Sequence, residues 1–246
     1  MKKQRKRKRS IFPKVIAILM ILIVIGLLIW LGYVIVHGVD TVTKEADKIA
    51  TLDMTEDTID PRLYSVGSFA VVEETMKTYM NEYSVTLQEA TNLLQDGTYS
   101  DMLLSANVQA DGPAFTNSRA YIAEKRQQCE QLFSDVEQMT TEESIMQALT
   151  DAGIGDSGTD SLYRKLYQHL MIDIVKPSCM YSITSCNDVK QDMLTRLDGK
   201  EEMLDFLTAN QANWKLEEEK LVFENADLTQ QYNSLVEKTT EVTTRE

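Results

Sequence analysis

The chain has 246 residues, with 25 Lys and Arg against 38 Asp and Glu for a formal net charge of −13. Eight of the basic residues fall within residues 1–14 and no acidic residue precedes Asp40, so residues 15–246 carry 17 basic against 38 acidic residues, a net of −21. That asymmetry excludes an ordinary soluble enzyme and makes nucleic acid a poor partner for the large acidic part.

Residues 15–36 contain no charged side chain, and Ile, Leu and Val dominate them. As a helix, 22 residues reach about 33 Å, against about 30 Å for the hydrocarbon core of a bilayer. A helix satisfies its own backbone polar groups, as lipid requires. Trp30 and Tyr33 stand near the far end, where amphipathic rings favour the interface. Residues 15–36 are therefore predicted to be a transmembrane helix. The apolar run exceeds the 7–15 residues of a signal peptide, and Val36-His37-Gly38 is a poor cleavage site, so an uncleaved anchor is expected. Gly26 and Gly32 are six apart, which leaves the G-x-x-x-G packing motif absent.

Orientation follows from Lys2, Lys3, Arg5, Lys6, Arg7, Lys8, Arg9 and Lys14. Such a cluster stays on the cytoplasmic side and meets anionic lipid head groups there. Everything from about Gly38 onward is then extracytoplasmic.

Beyond the span, Val42, Ala46 and Ile49 have helical spacing and extend the anchor helix a little way. Residues 53–61 are polar and acidic, and residues 37–64 read as a juxtamembrane linker. The clearest helix covers residues 68–95. Its stripe is Phe69, Val72, Met76, Tyr79, Tyr83, Leu87, Ala90 and Leu94, with Gly97 as a stop. A short helix with Met102, Leu103, Leu104 and Val108 precedes Gly112-Pro113. A long one follows over residues 117–139, with Ile122, Cys129, Leu132, Val136 and Met139 in its stripe and Phe133 alongside.

Thr140-x-x-Glu143 reads as a capping box for a helix with Ile145, Met146 and Leu149. After the loop 153–158, Asp160 is expected to cap a helix burying Tyr163, Leu166, Leu170 and Ile174 and ending at Pro177. A further helix spans residues 187–208 with Val189, Met193, Leu197, Leu204 and Leu207, interrupted at Gly199. Trp214 and Leu216, then Leu221 and Phe223, alternate with polar residues around Glu218-Glu219. They predict a small β-hairpin without the usual Asn-Gly turn. Leu228, Tyr232 and Leu235 mark a last short helix.

Helices with one apolar stripe each must pack stripe to stripe. The expected fold is mainly α: an N-terminal transmembrane helix, then an extracytoplasmic helical bundle with a small C-terminal β-hairpin. Its parts are a basic cytoplasmic head (1–14), the span (15–36), the linker (37–64), the helical domain (65–242) and a tail (243–246).

Little in this chain resembles catalytic machinery. Apart from His37 at the edge of the span, His169 is the one histidine, so the two-imidazole H-E-x-x-H arrangement cannot form. No G-x-S-x-G, S-x-x-K or Walker loop occurs. Gly155-Asp156-Ser157-Gly158 echoes a protease nucleophile motif but stands in a helical chain, where it reads as a flexible turn. Asp151, Asp156 and Asp160 could bring oxygens to Ca²⁺, yet their order is not that of an EF-hand, and loop solvation is the plainer reading. Cys179 and Cys186, seven apart outside the cytoplasm, could close a small disulfide loop; Cys129 falls on an apolar stripe. No catalytic, cofactor-binding or metal-binding residue is assigned.

The expected role is non-catalytic binding or scaffolding in the cell envelope, with the bilayer and another envelope protein as partners. Two alternatives stand beside it. One is a ligand-sensing ectodomain working with a separate cytoplasmic partner, since about 14 residues precede the span. The other is a secreted protein freed by signal cleavage.

Overall fold

A computed structural model describes residues 12–241, with side chains placed from 20 to 237. The basic side chains of the head and the 243–246 tail lie outside the described residues. Helix α1 (Phe12–Ile49) is unbroken over 38 residues. From Met20 to Val36 its large apolar side chains are exposed nearly all round, Val36 at 71%. Above that point one face turns inward: Gly38, Val42, Glu45, Ala46 and Ile49 are buried. Spacings of 4, 3, 1 and 3 put all five on one side of the helix.

The chain then turns back, burying Met54 and Ile59 in the same core. The segment 37–64, expected to be a linker, is thus part of the packed body. Its polar residues misled the reading because they cover the outside of a hook whose inside is apolar.

Helix α2 (Ser68–Thr91) buries Phe69, Val72, Met76, Tyr79, Tyr83, Leu87 and Ala90, the expected stripe. It stops at Asn92, short of Gly97. Gly97 instead opens α3 (Gly97–Asp101), where the Asp96 carboxylate accepts from the Tyr99 N–H, and α4 (Ser105–Asp111) follows. Helix α5 (Thr116–Met139) buries Ile122, Cys129, Phe133 and Val136, while Leu132 and Met139 are half-buried at its edge.

The cap of α6 (Glu142–Asp151) is Thr141, one residue later than expected; its hydroxyl accepts from the Ser144 N–H. Asp160 is likewise not a cap. It is the first residue of α7 (Asp160–Gln168), and its carboxylate accepts from the Gly155 N–H.

A π-helical stretch, His169–Val175, continues α7 into α8 (Lys176–Cys179), carrying the chain past Pro177. A π turn holds more residues than an α turn and rotates the following stripe. From the π stretch onward the residues inside are Leu170, Met171 and Val175, with Ile174 only half-buried; in α7 before it, Tyr167 is buried and Tyr163 and Leu166 are half-buried. Helix α9 (Ile183–Ala209) runs straight through Gly199, which is buried in it.

Strands β1 (Trp214–Glu217) and β2 (Lys220–Phe223) form the expected antiparallel hairpin, pairing Trp214 with Phe223 and Leu216 with Leu221. Glu218 and Glu219 take φ of 47° and 64°, the left-handed conformations that Asn-Gly supplies elsewhere. The Trp214 indole donates to the Leu207 carbonyl, and Phe223 joins Phe206 and Tyr232 in a ring cluster that seats α10 (Ala226–Glu241).

Side-chain contacts fix the directions. Phe69 lies on Gly38 and Lys77 meets Glu45, so α2 rises beside α1 in the same sense. The stretch from α7 onward rises with them, with Tyr163 edge-on to Phe69 and the Tyr181 N–H on the Tyr83 hydroxyl. Helix α5 descends, since Tyr121 reaches Asp96 near the top and the Met139 carbonyl accepts from Tyr79 below. Helix α9 climbs against it through Lys190–Glu137, Arg126–Asp198 and Arg119–Asp205. The bundle thus has a base beside Gly38 and a top carrying the hairpin.

Candidate functional site

The densest polar arrangement sits where α1 enters the bundle. Lys77 of α2 is 4% exposed, with Glu45 of α1 at 5% and Glu73 of α2 at 0%. The Lys77 ammonium lies 2.9 Å from Glu45 and 2.8 Å from Glu73 and also donates to the Arg62 carbonyl. Glu73 accepts further from the backbone N–H groups of Tyr64 and Ser65 and from the Ser65 hydroxyl at 2.6 Å. Lys48, one turn above Glu45, pairs with it from the solvent side.

The ring of Tyr64 closes the arrangement. Lys77, Lys48 and Arg62 stand 4.8, 5.1 and 5.9 Å from its centroid. The Tyr64 hydroxyl donates to Asp60, which also holds Arg62. These hydrogen bonds, with that from the Arg62 side chain largest, hold the Asp60 carboxyl well below the usual carboxylate range.

Burial alone would favour the neutral form of each group in this cluster. For Lys77 burial does pull the pKa down, but hydrogen bonds to Glu73 and Glu45 outweigh it and leave the value above the ordinary 10.5. Burial pushes Glu73 up, and the donors Lys77, Ser65 and Tyr64 reverse this, leaving it below the ordinary 4.5. Lys77 therefore stays an ammonium ion. A neutral amine nucleophile would need the opposite shift. What the geometry can do is clamp: one buried charge ties α1, α2 and the loop 60–65 together.

The residues singled out from sequence lie elsewhere and apart from one another. His169 is exposed, with Nδ1 2.8 Å from Asp173. Asp156 pairs with Arg164 at 2.8 Å, Asp160 accepts from Gly155, and Asp151 accepts from Gln147. Among the described residues no group of three or more His, Cys, Asp or Glu is placed to hold a metal ion.

Cys179 and Cys186 are free thiols, not a bridged pair. Cys179 ends α8 and donates to the Val175 carbonyl, whereas Cys186 is buried in α9. Burial pushes the Cys179 thiol up to about 12 and raises that of Cys186 too, far from the thiolate that reactivity needs.

Sequence reasoning missed Glu45, Glu73 and Lys77. A signal was present: Glu73 and Lys77 are i,i+4 beside the apolar stripe of α2, and Glu45 abuts Ala46 on that of α1.

Another surface feature is an open groove of about 660 Å³ between α2 and α5, lined by Glu89, Asn92, Leu93, Glu124, Gln128 and Leu132 among others. Comparison with protein-family models, with curated proteins and with solved structures finds no match to this chain.

Proposed function

We propose that this chain is a single-pass membrane protein with its N-terminus in the cytoplasm, displaying a non-catalytic helical domain that binds or scaffolds another envelope protein. The observation that carries it is α1. One continuous helix is long and apolar enough to span a bilayer and then supplies a wall of the domain core. The basic head would sit against anionic lipid, and the acidic domain has no affinity for nucleic acid.

The chemistry of the clamp favours a mechanical role: Lys77 is held charged and the thiols are held protonated. The groove between α2 and α5 sets Glu89 and Glu124 beside apolar surface that includes Leu93 and Leu132, and so suits an amphipathic, basic segment of a partner. A rigid link between span and domain also suits the sensing reading, in which the domain passes a displacement to a cytoplasmic partner through α1.

The test is protease treatment of intact cells, followed by crosslinking from a photoreactive residue at Gln128. The expected result is removal of the domain by protease and capture of a defined envelope protein. A domain that survives while the cells stay sealed contradicts the topology, and a topology-competent chain without a crosslinked partner contradicts the scaffold.

A further inference from the structure

The base of the bundle carries apolar side chains that the fold leaves uncovered. Val66 is 71% exposed and Leu162 is 66% exposed. Neither belongs to a loose segment. Val66 is held between Ser65, whose N–H and hydroxyl are bound to Glu73, and Gly67 at the start of α2. Leu162 lies in α7 beside Tyr163, whose ring stands edge-on to Phe69 at 5.0 Å.

Their height relative to the span is fixed by contact. The Phe69 ring covers Gly38 so closely that a Cβ there would fall 2.3 Å from it. Gly38 is two residues past Val36, about 3 Å along the helix axis. The head-group layer extends roughly 5–7 Å beyond the hydrocarbon on each side. Phe69 and the residues packed around it therefore stand within that layer when residues 15–36 fill the hydrocarbon. Val36 and Val39 add exposed apolar surface at the same level. The acidic Asp156 nearby is neutralised by Arg164, and Asp160 is tied to the Gly155 N–H, which limits repulsion from lipid phosphates.

We infer that the base of the domain is a lipid-docking surface, with Val66 and Leu162 inserted at the head-group boundary of the outer leaflet. This rests on the membrane-spanning reading of α1 and adds to it a second contact with the same bilayer. A single helix passing through a bilayer leaves its domain free to tilt; two apolar side chains flanking the exit point hold it upright. The loop 153–158, read from sequence only as a flexible turn, joins α6 to α7 at this face.

The full chain, with Cys129, Cys179 and Cys186 replaced by Ala, would be reconstituted into phosphatidylcholine–phosphatidylglycerol vesicles carrying doxyl-labelled lipids. Single NBD fluorophores would be placed through Val66→Cys, Leu162→Cys, Leu28→Cys in the span and Leu104→Cys at the top of the bundle. All but the span position are exposed sites of the domain, and a melt of each variant checks its folding. Shallow doxyl lipid should quench the labels at 66 and 162 at least threefold more than the label at 104, and deep doxyl lipid should quench the label at 28. Labels at 66 and 162 that respond no more than 104, with 28 still quenched, overturn the docking surface and leave the span intact. Loss of quenching at 28 overturns the span and the docking surface together.

Discussion

The lower and upper parts of α1 share one backbone and differ in what they bury against. From Met20 to Val36 the side chains are apolar on every side and the protein covers almost none of them. From Gly38 to Ile49 charged residues return, and only the face of Gly38, Val42, Glu45, Ala46 and Ile49 is inside. The first pattern suits a solvent that is apolar all round, the second a protein core on one side and water on the other. The boundary is a glycine against a phenyl ring. Packing against the protein begins where the apolar run ends, so the helix that carries the run is also a structural helix of the domain.

The largest expected effect comes from cutting between those parts. A soluble fragment 39–241 retains Val42, Ala46, Ile49, Met54 and Ile59, whereas a fragment 65–241 lacks all five. Four of them are large apolar side chains worth about 1.5–3 kcal/mol each on burial, against a total stability of about 5–15 kcal/mol for a typical domain. The longer fragment should melt cooperatively and the shorter should not, as read by circular dichroism. Equal melting of both would separate α1 from the core.

Next in size is the clamp. Lys77→Met leaves Glu73 buried without a counter-charge and Glu45 with Lys48 alone, and should cost about 3–5 kcal/mol in denaturant melts. Its pH dependence has a definite sign. Glu73 is lowered in the folded state, so its contribution is present above 4.5 and fades as pH falls toward its folded value. Lys77 is raised, so its contribution is present below 10.5 and is lost as pH rises through its folded value. The wild-type chain should lose stability at both ends, and Glu73→Gln should flatten the acid limb.

Two matched pairs then compare the parts of α1 directly. Ile49→Ala removes a buried side chain and should cost about 2–5 kcal/mol. Ile25→Ala, in the exposed stretch, should leave the melt of the vesicle-bound domain unchanged. Smaller still, Gly38→Ala drives a methyl into Phe69 and should cost about 1–3 kcal/mol, offset in part by the better helix propensity of Ala. Gly32→Ala meets nothing within 4 Å and should show no loss.

Much of the architecture was legible because helical stripes are. Phe69 to Ala90 and Ile122 to Val136 recur at three and four residues, and the alternation around Trp214 and Phe223 marks a hairpin even with Glu218-Glu219 in its turn. The errors have local causes. The π turn after Gln168 shifted the buried set from Ile174 to Met171 and Val175, since a reading at 3.6 residues per turn has no place for the wider turn. Spacing alone also could not show that Cys179 and Cys186 stay apart, because it does not place their Cβ atoms.

The candidate site was the least legible part. Glu45, Glu73 and Lys77 look like solvated helix charges until the hook of residues 50–67 is folded back over them. Their meaning comes from contacts between residues 45 and 77, a separation that no local pattern encodes.

The central claim is that α1 changes solvent at Gly38, and a nitroxide scan from residue 20 to 49 of the full chain in vesicles tests it most directly. Oxygen accessibility should be uniformly high through residue 36, then oscillate with the helical period and reach minima at residues 38, 42, 45–46 and 49. Oscillation below residue 36, or its absence above residue 38, would contradict the account.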